Sequence, residues 1–385
     1  MKRFLTIAAL ACVICAGCGK DEPNQDPNPN PEPEQPKTSV LYAVGQDLVP
    51  EKDYYYAVVW RNGVETLLTD GSHDGFCNGV CADDNDNIYV VGCEAVGDLV
   101  DDGYYDPYNQ NVGILWKFKD NNHAQVERTV LSDGKNATSP IAVAVSNGNV
   151  HIAGFDTPVY DRRVLYWRNG VMNVLTDGST DALAYCIWAD GDDVYIGGYI
   201  QPADNKQGGV ATIWKNGVAQ SLTDGTTVAK VTALYMDNGT LYAAGMEKPS
   251  GGRWKGVLWA DGVRVKDFTD HVGTEVTGLY VKDGNYIIEG NMTDTGSSGD
   301  IYTCIWTKEG VQKFETSSLC QGTALAIDGE NVYVAGNEYS MNMTTYEEHY
   351  KAYLWKNGEP QEFEVKSAKD NTIWAMTIAH ISKEE

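Results

Sequence analysis

A phrase made of an apolar strand, a tryptophan and a turn returns seven times along the 385-residue chain. Its clearest copies read WRNGVETLLTDG at 60–71, WRNGVMNVLTDG at 167–178 and WKNGVAQSLTDG at 214–225. A fixed period of this kind indicates one small structural unit that is repeated, each copy burying its apolar surface against the next. We therefore expect the recurring tryptophan to pack between units, at Trp60, Trp116, Trp167, Trp214, Trp259, Trp306 and Trp355.

A second phrase, Tyr-x-x-Gly, alternates with the first, as at Tyr42 to Gly45 and at Tyr333 to Gly336. Asn-Gly and Asp-Gly pairs stand between the phrases, and they are the strongest short signal for a β-hairpin. Each unit thus contains four short strands, labelled A to D, with Tyr-x-x-Gly in strand B and the tryptophan in strand C. Four strands repeated about every 45–60 residues are typical of a β-propeller, and seven copies suit its usual range of blades.

The two ends of the repeat region complete each other. The region begins with a strand B, VLYAVG at 40–45, and ends with a strand A, TIWAMTIAH at 372–380. Pairing of these two strands would complete one blade and remove the exposed sheet edges that promote aggregation. The sequence therefore predicts an all-β fold over residues 38–385, a seven-bladed β-propeller of four-stranded blades closed by the C-terminal strand A and the N-terminal strand B. A two-sheet sandwich is the alternative.

The N-terminal residues 1–18, MKRFLTIAALACVICAGC, have a charged start and an apolar core too short to span a bilayer. The CAGC ending resembles the lipobox of bacterial lipoproteins, which implies lipidation at Cys18; an ordinary signal peptide is the alternative. Residues 19–37 contain no large apolar side chain and alternate proline with polar residues, so they predict a disordered tether. The Lys-Asp-Glu at 20–22 resembles the surface-export signal of Bacteroidetes lipoproteins. These features predict an outer-membrane lipoprotein, at the cell surface rather than in the periplasm.

The charge of the chain limits its partners. There are 54 acidic and 29 basic residues, which give a formal net charge of −25. A nucleic-acid-binding protein needs clustered Lys and Arg to neutralise phosphates, so this class of partner is excluded. The same charge opposes contact with an anionic membrane surface, and we expect membrane attachment through the N-terminal lipid only.

The hairpin DGDDVYIGG at 190–198 resembles that of the kelch propeller repeat, and the order of the four strands does so as well. The resemblance implies a propeller. It also implies a binding platform in most cases, and an enzyme in some.

The connections between strands B and C vary most in length, and with strand A innermost they share one face with the D–A connections. Variable loops on a rigid scaffold commonly carry binding residues. Aromatic rings among Asp, Asn and Gln suit a glycan, and they suit a protein partner equally well. The predicted ligand-binding residues are Tyr54, Tyr55, Tyr104, Tyr105, Tyr108, Tyr160, Tyr199, Trp254, Tyr339 and Tyr346.

Cysteine spacing predicts one disulfide. If the first A–B hairpin pairs Ala82 with Ile88 and continues in register, Cys77 lies directly opposite Cys93, at a spacing that permits a bridge. Two unlinked thiols are the alternative.

The sequence predicts no catalytic set, metal site or cofactor. The acidic residues are too numerous for a specific pair to stand out, and the six histidines are dispersed. We therefore expect a non-enzymatic binding protein for a glycan or protein ligand. Two alternatives stay open: a scaffold in an envelope complex, and a polysaccharide hydrolase or lyase, of which a glycosidase would need two carboxylates at a set distance.

Overall fold

A computed structural model describes residues 37–49, 54–100, 108–120, 122–132, 134–158, 161–204, 208–268, 273–293, 300–314, 316, 319–342, 344, 348–365 and 370–382. The predicted signal peptide, the lipidation site Cys18 and all but the last residue of the predicted tether lie outside these residues.

The described residues form seven four-stranded antiparallel sheets, numbered here as blades 1 to 7. Blade 1 contains both ends of the repeat region and consists, from the inside outwards, of β28 (Asn371–Ser382), β1 (Lys37–Val49), β2 (Tyr54–Arg61) and β3 (Val64–Leu67). Blades 2 to 4 are β4 (Gly75–Ala82), β5 (Asn87–Val100), β6 (Tyr108–Lys119), β7 (Asn122–Val130); β8 (Ala137–Ser146), β9 (Asn149–Thr157), β10 (Arg163–Arg168), β11 (Val171–Val174); and β12 (Ala182–Asp190), β13 (Asp193–Ile200), β14 (Val210–Lys215), β15 (Val218–Ser221).

Blades 5 to 7 are likewise built from consecutive strands. They are β16 (Val228–Asp237), β17 (Thr240–Lys248), β18 (Lys255–Ala260), β19 (Val263–Phe268); β20 (Gly273–Lys282), β21 (Asn285–Thr293), β22 (Ile301–Trp306), β23 (Val311–Lys313); and β24 (Cys320–Asp328), β25 (Asn331–Met341), β26 (Glu348–Lys356), β27 (Glu359–Gln361).

The ring closes as the sequence predicted. Strands β1 and β28 pair antiparallel from Lys37 opposite Ser382 to Asp47 opposite Asn371. Because β28 is the inner strand of blade 1, the last strand of the chain takes the same place as the first strand of every other blade. The seven-bladed β-propeller is therefore confirmed.

The recurring tryptophans form the contacts between blades. All seven are buried, none with more than 5% of its surface exposed. Trp60 of blade 1 packs with Ala335 and Leu354 of blade 7, and its indole N–H donates to the Glu364 carbonyl oxygen at 2.6 Å. Burial of rings of this size at each blade contact makes a large apolar contribution to stability, as predicted.

One feature of the fold was not predicted. Every inner strand carries a one-residue bulge at the same position relative to strand B. The glycine of the Tyr-x-x-Gly phrase lies opposite it, and a Cβ atom added to Gly92 would lie 1.9 Å from the Phe76 carbonyl oxygen. At Gly45 the corresponding distance, to the Thr372 oxygen, is 1.8 Å. The glycine is thus required because the bulged strand brings its backbone against strand B.

The bulge corrects the predicted cysteine register. Because Asn78 is extra in β4, Cys77 lies opposite Gly92, while Cys93 lies opposite Phe76. The prediction that the two cysteines face each other directly is therefore wrong. Both thiols are free and buried in the structure, and burial raises the pKa of Cys93 to about 12. Measurement of the intact mass with and without reductant tests the predicted disulfide. Since both thiols are free in the structure, we expect the mass of the protein to stay the same on reduction.

Candidate ligand-binding site

The seven inner strands surround a central channel with a volume of about 510 Å³. Each inner strand contributes three successive residues to its lining: the bulged residue, a small residue and an aliphatic one. The bulged residues, which we call the bulge layer, are Asn78, Ile141, Tyr185, Thr232, Thr277, Thr323 and Trp374. This volume lies within the range of ligand pockets.

The aliphatic layer lies below the bulge layer and is largely buried. Five of its members are at most 9% exposed, namely Val80, Val143, Leu234, Leu279 and Met376. The inner strands run from the D–A connections towards the A–B turns. The bulge layer therefore lies nearer the face that carries the B–C and D–A connections, called the loop face here. A ligand that enters from the loop face meets the bulge layer first.

Trp374 is the largest side chain of the bulge layer. It is 43% exposed, in contrast to the seven buried tryptophans between the blades. Within the described residues its indole makes no hydrogen bond or ring contact. An exposed indole at the mouth of a cavity offers a flat apolar surface and one N–H donor, a combination common at binding sites.

Tyr185 and Lys230 lie at the channel on the opposite side of the ring, in blades 4 and 5. The Lys230 ammonium is 4.9 Å from the centre of the Tyr185 ring and 5.6 Å from that of Trp254. Burial lowers the pKa of Lys230, which nearby Glu275 partly offsets. Among the described residues, no carboxylate lies within 4 Å of this ammonium and no group hydrogen-bonds to the Tyr185 hydroxyl.

Three mutually hydrogen-bonded side chains, Arg162, Asp181 and Tyr199, lie beside the Tyr185 ring. The Arg162 guanidinium donates to both carboxylate oxygens of Asp181 at 2.8 and 2.6 Å, and to the Tyr199 hydroxyl at 2.8 Å. Tyr199 in turn donates to Asp181 at 2.5 Å, and its ring centre is 6.3 Å from that of Tyr185. Burial alone would raise the pKa of Asp181, but these hydrogen bonds lower it. These bonds hold Tyr199 in place, and its ring contacts that of Tyr185.

The inner strands of blades 6 and 7 present a different surface. The Thr277 hydroxyl donates to Oε2 of Glu289, a fully buried residue, and Oε1 of Glu289 has no hydrogen-bond partner. Burial raises the pKa of Glu289 to about 8, so the carboxyl is largely protonated at neutral pH. Thr323 donates to the Ile373 carbonyl oxygen at 2.7 Å. Both threonine hydroxyls are thus used inside the protein.

Two of the ten predicted ligand-binding residues lie beside the channel mouth, Tyr199 and Trp254. Tyr54 and Tyr55 lie on blade 1 and do not line the channel; Tyr54 is 41% exposed. Tyr339 donates to Glu348 at 3.2 Å on blade 7 and does not line the channel either.

The five other predicted residues are not placed by side chain. Tyr104, Tyr105, Tyr160 and Tyr346 lie outside the described residues, and only the backbone of Tyr108 is described, at the start of β6.

Sequence reasoning missed Tyr185, Lys230 and Trp374. A signal was present, because every strand A contains a variable residue followed by a small one and an aliphatic one, as in Tyr185-Cys186-Ile187 and Trp374-Ala375-Met376. The variable position of this triplet is the bulge, and aligning the triplets would have identified the bulge layer.

Neither a metal-binding cluster nor a membrane-spanning helix is found in the described part of the chain. No group of three or more His, Cys, Asp and Glu side chains is arranged to hold a metal ion there. No helix long and apolar enough to cross a bilayer is found among the same residues.

No family model and no curated protein matches the chain. Among solved structures, an acylaminoacyl peptidase in complex with Z-Gly-Gly-Phe-chloromethyl ketone is 13% identical over 85% of this chain, with a TM-score of 0.47. The Pyrococcus horikoshii acylaminoacyl peptidase, in an orthorhombic crystal form, is 14% identical over 86%, also with a TM-score of 0.47. The chain spans about half the length of these two peptidases, 52% in each case.

The β-propeller domain of the Trilobed protease from Pyrococcus furiosus is similar over its whole length. It is 11% identical over 87% of this chain and 100% of its own, with a TM-score of 0.46. Likenesses at this level concern the fold alone. The fold and the channel together describe a seven-bladed propeller with a ligand-sized opening on its loop face.

Proposed function

We propose that the chain is a lipid-anchored binding protein of the cell envelope, and that its loop face holds a glycan or a protein ligand at the channel mouth. One observation carries the proposal: the channel mouth places the exposed Trp374 opposite the Tyr185 hydroxyl, in the bulge layer, and the Lys230 ammonium beside it, and neither polar group has a hydrogen-bond partner among the described residues. Polar groups in partly buried places are normally paired, so a set left open around a cavity supports ligand binding.

Binding without catalysis is the form of this function that the channel supports best. Among the described residues that line the channel, Glu275 is the one carboxylate, whereas a glycosidase needs a pair. Polysaccharide turnover that is lost in a Glu275→Gln variant would overturn this part of the proposal.

The binding test uses a glycan array and a panel of envelope proteins with the full chain, its Trp374→Ala variant and a Tyr54→Ala control. Tyr54 is similarly exposed but lies outside the channel. We expect Trp374→Ala to weaken binding by roughly tenfold or more, as loss of an aromatic anchor does, and Tyr54→Ala to leave it unchanged. The reverse pattern would move the site to the outer loops. Binding to envelope proteins but to no glycan would favour a scaffold role in an envelope complex, and binding to neither panel would contradict the proposal.

The anchoring part of the proposal rests on the sequence at Cys18. We propose an outer-membrane lipoprotein of the Bacteroidetes type with a kelch-like propeller, exposed at the cell surface rather than in the periplasm. Metabolic labelling with a fatty-acid analogue should mark the wild-type chain but not a Cys18→Ala variant. Digestion of the chain by protease added to intact cells supports the surface location, and protection from that protease contradicts it.

A further inference from the structure

The charge at the channel mouth differs from that of the chain as a whole. At the position two residues before the bulge, the seven inner strands carry Phe76, Ser139, Leu183, Lys230, Glu275, Gln321 and Thr372. Lys230 is the one cation in this set, in a chain with a net charge of −25. Its position beside the channel is therefore a local exception to the charge of the molecule.

The surroundings of Lys230 neutralise it only in part, because Glu275 of the next inner strand offsets some of the effect of burial but forms no ion pair with it among the described residues. Partial burial of an ammonium costs free energy unless an opposite charge compensates for it. The rings of Tyr185 and Trp254 provide cation–π contacts at 4.9 and 5.6 Å, but ring contacts of this kind replace only part of the lost hydration. Lys248, which is also 6.0 Å from the Trp254 ring, is exposed and does not line the channel.

The other polar group at this side of the mouth is a donor as well. The Tyr185 hydroxyl has no partner among the described residues, and the Tyr199 ring contacts the ring from which it projects. The Lys230 ammonium lies 4.9 Å from the centre of the Tyr185 ring. A hydroxyl and an ammonium on the same side of the mouth favour an anionic acceptor with two oxygen atoms, because charge-assisted hydrogen bonds are the stronger ones. Across the channel, Trp374 offers an apolar face that suits the C–H face of a sugar ring.

We propose that the channel mouth binds an anionic saccharide, with the carboxylate of a uronic-acid residue at Lys230 and Tyr185 and a sugar ring on Trp374. The inference rests on the proposed binding function and narrows its ligand class. A saccharide fits better than an acidic peptide because one ring supplies a carboxylate, hydroxyls and an apolar face within a channel of about 510 Å³.

The test compares three probes by calorimetry with the full chain in detergent: trigalacturonate, its methyl ester and a sulfated trisaccharide. Acid and ester have nearly the same shape and differ in charge. We expect the acid to bind about tenfold more tightly than the ester, as expected for one hydrogen bond to a charged group. If the sulfated trisaccharide binds as tightly as the acid, the site accepts both sulfated and carboxylated saccharides. If it does not bind, the site is specific for carboxylates.

Two lysine variants localise the effect. Lys230→Gln should remove the preference for the acid, whereas Lys248→Gln, with the same change in net charge, should keep it. Lys230→Arg retains the charge and should retain the preference; it serves as the second measurement if the glutamine variant does not fold.

Each remaining outcome counts against the inference. Equal binding of acid and ester overturns it and leaves the proposed function standing. Binding of a polyglutamate peptide through Lys230, without saccharide binding, overturns it in favour of an acidic peptide. Failure of all these probes, together with failure of the glycan array, removes the glycan form of the proposed function as well.

Discussion

The two sides of the channel mouth show how one backbone feature is used in two ways. In blade 4 the bulge presents Tyr185, and in blade 5 the inner strand presents Lys230 two residues before its bulge; the polar groups of both have no partner among the described residues apart from ring contacts. In blades 6 and 7 the same bulge presents Thr277 and Thr323, whose hydroxyls are bonded to Glu289 and to the Ile373 backbone. We call these the open side and the bonded side.

The difference shows that the bulge itself does not make the site. It is present in all seven blades and brings one side chain per blade to the channel. What distinguishes the open side is that the polar groups of Tyr185 and Lys230 have no hydrogen-bond partner among the described residues, while the hydroxyls of Thr277 and Thr323 are bonded within the ring. Substitutions of the Tyr185 and Lys230 side chains should therefore affect binding, and those of the Thr277 and Thr323 side chains should affect folding.

The largest expected effect comes from removing the space that the bulge needs. A Cβ atom on Gly198, in blade 4, would lie 1.9 Å from the Leu183 oxygen, whereas on Gly336, in blade 7, the nearest atom would be the Thr303 hydroxyl oxygen at 2.9 Å. Gly198→Ala should lower the free energy of unfolding by about 3 kcal/mol or prevent folding, and Gly336→Ala should cost about 1 kcal/mol. Chemical denaturation measures both. Equal losses of unfolding free energy in the two variants would contradict this prediction, because they would mean that the backbone around Gly198 moves aside more easily than that around Gly336.

The second effect depends on pH and belongs to the bonded side. Burial raises the pKa of Glu289 to about 8 from an ordinary value of 4.5. Between these values the folded chain keeps a proton that the unfolded chain releases, so the free energy of unfolding falls as pH rises. The contribution is at most about 1.4 kcal/mol per pH unit.

Glu289→Gln should remove that contribution. Denaturation at several pH values between 5 and 8 should show a flatter dependence for Glu289→Gln than for the wild type. Glu275→Gln, which changes an exposed carboxyl at the channel, serves as the control and should follow the wild type. Parallel curves for all three proteins would contradict the role of Glu289.

A third prediction concerns the amide that joins blades 7 and 1. Asn337 is buried; its Oδ1 accepts from the Ile373 N–H at 2.9 Å, and its Nδ2 donates to the Ile373 oxygen at 3.0 Å. Asn337→Ala should cost about 2 kcal/mol because the buried Ile373 N–H loses its partner and the Ile373 oxygen keeps only the bond from the Thr323 hydroxyl. Asn78→Ala, which removes a single bond of 2.9 Å to the Pro140 oxygen, should cost about 1 kcal/mol. A larger loss of unfolding free energy for Asn78→Ala, in blade 2, than for Asn337→Ala would contradict the assignment of stability to the bonded side.

The smallest expected effect lies on the open side. Tyr185→Phe removes a hydroxyl without a described partner, and it should leave the free energy of unfolding within about 0.5 kcal/mol of the wild type. Tyr199→Phe removes a hydroxyl bonded to Arg162 and Asp181 and should cost about 1 kcal/mol. Thermal and chemical denaturation distinguish the two. A matching loss for both variants would mean that the Tyr185 hydroxyl is not open.

The architecture of the ring could be predicted from sequence because each blade repeats the same turns and the same buried tryptophan. Closure followed from the unmatched strands at the two ends, VLYAVG and TIWAMTIAH, and β1 and β28 pair as they predicted. Regular local signals of this kind need no knowledge of contacts distant in the chain.

The bulge was harder to predict, and the site depends on it. An extra residue leaves the apolar pattern of a short strand nearly unchanged. The sequence therefore predicts a continuous register between β4 and β5, whereas in the structure the register shifts at Asn78. The site was instead sought in the variable loops, because exposed aromatic residues there are easy to recognise. Trp374 was assigned to a strand and not to the site, since a sequence does not show which strand residue projects into a channel.

Closure by β28 also has a consequence for biosynthesis. The strand that completes blade 1 carries Trp374, so β28 supplies both the closing contacts of the ring and the largest side chain of the bulge layer. Contacts this distant in the chain form late, after the local hairpins. A polypeptide truncated before β28 would therefore lack both the closed ring and Trp374.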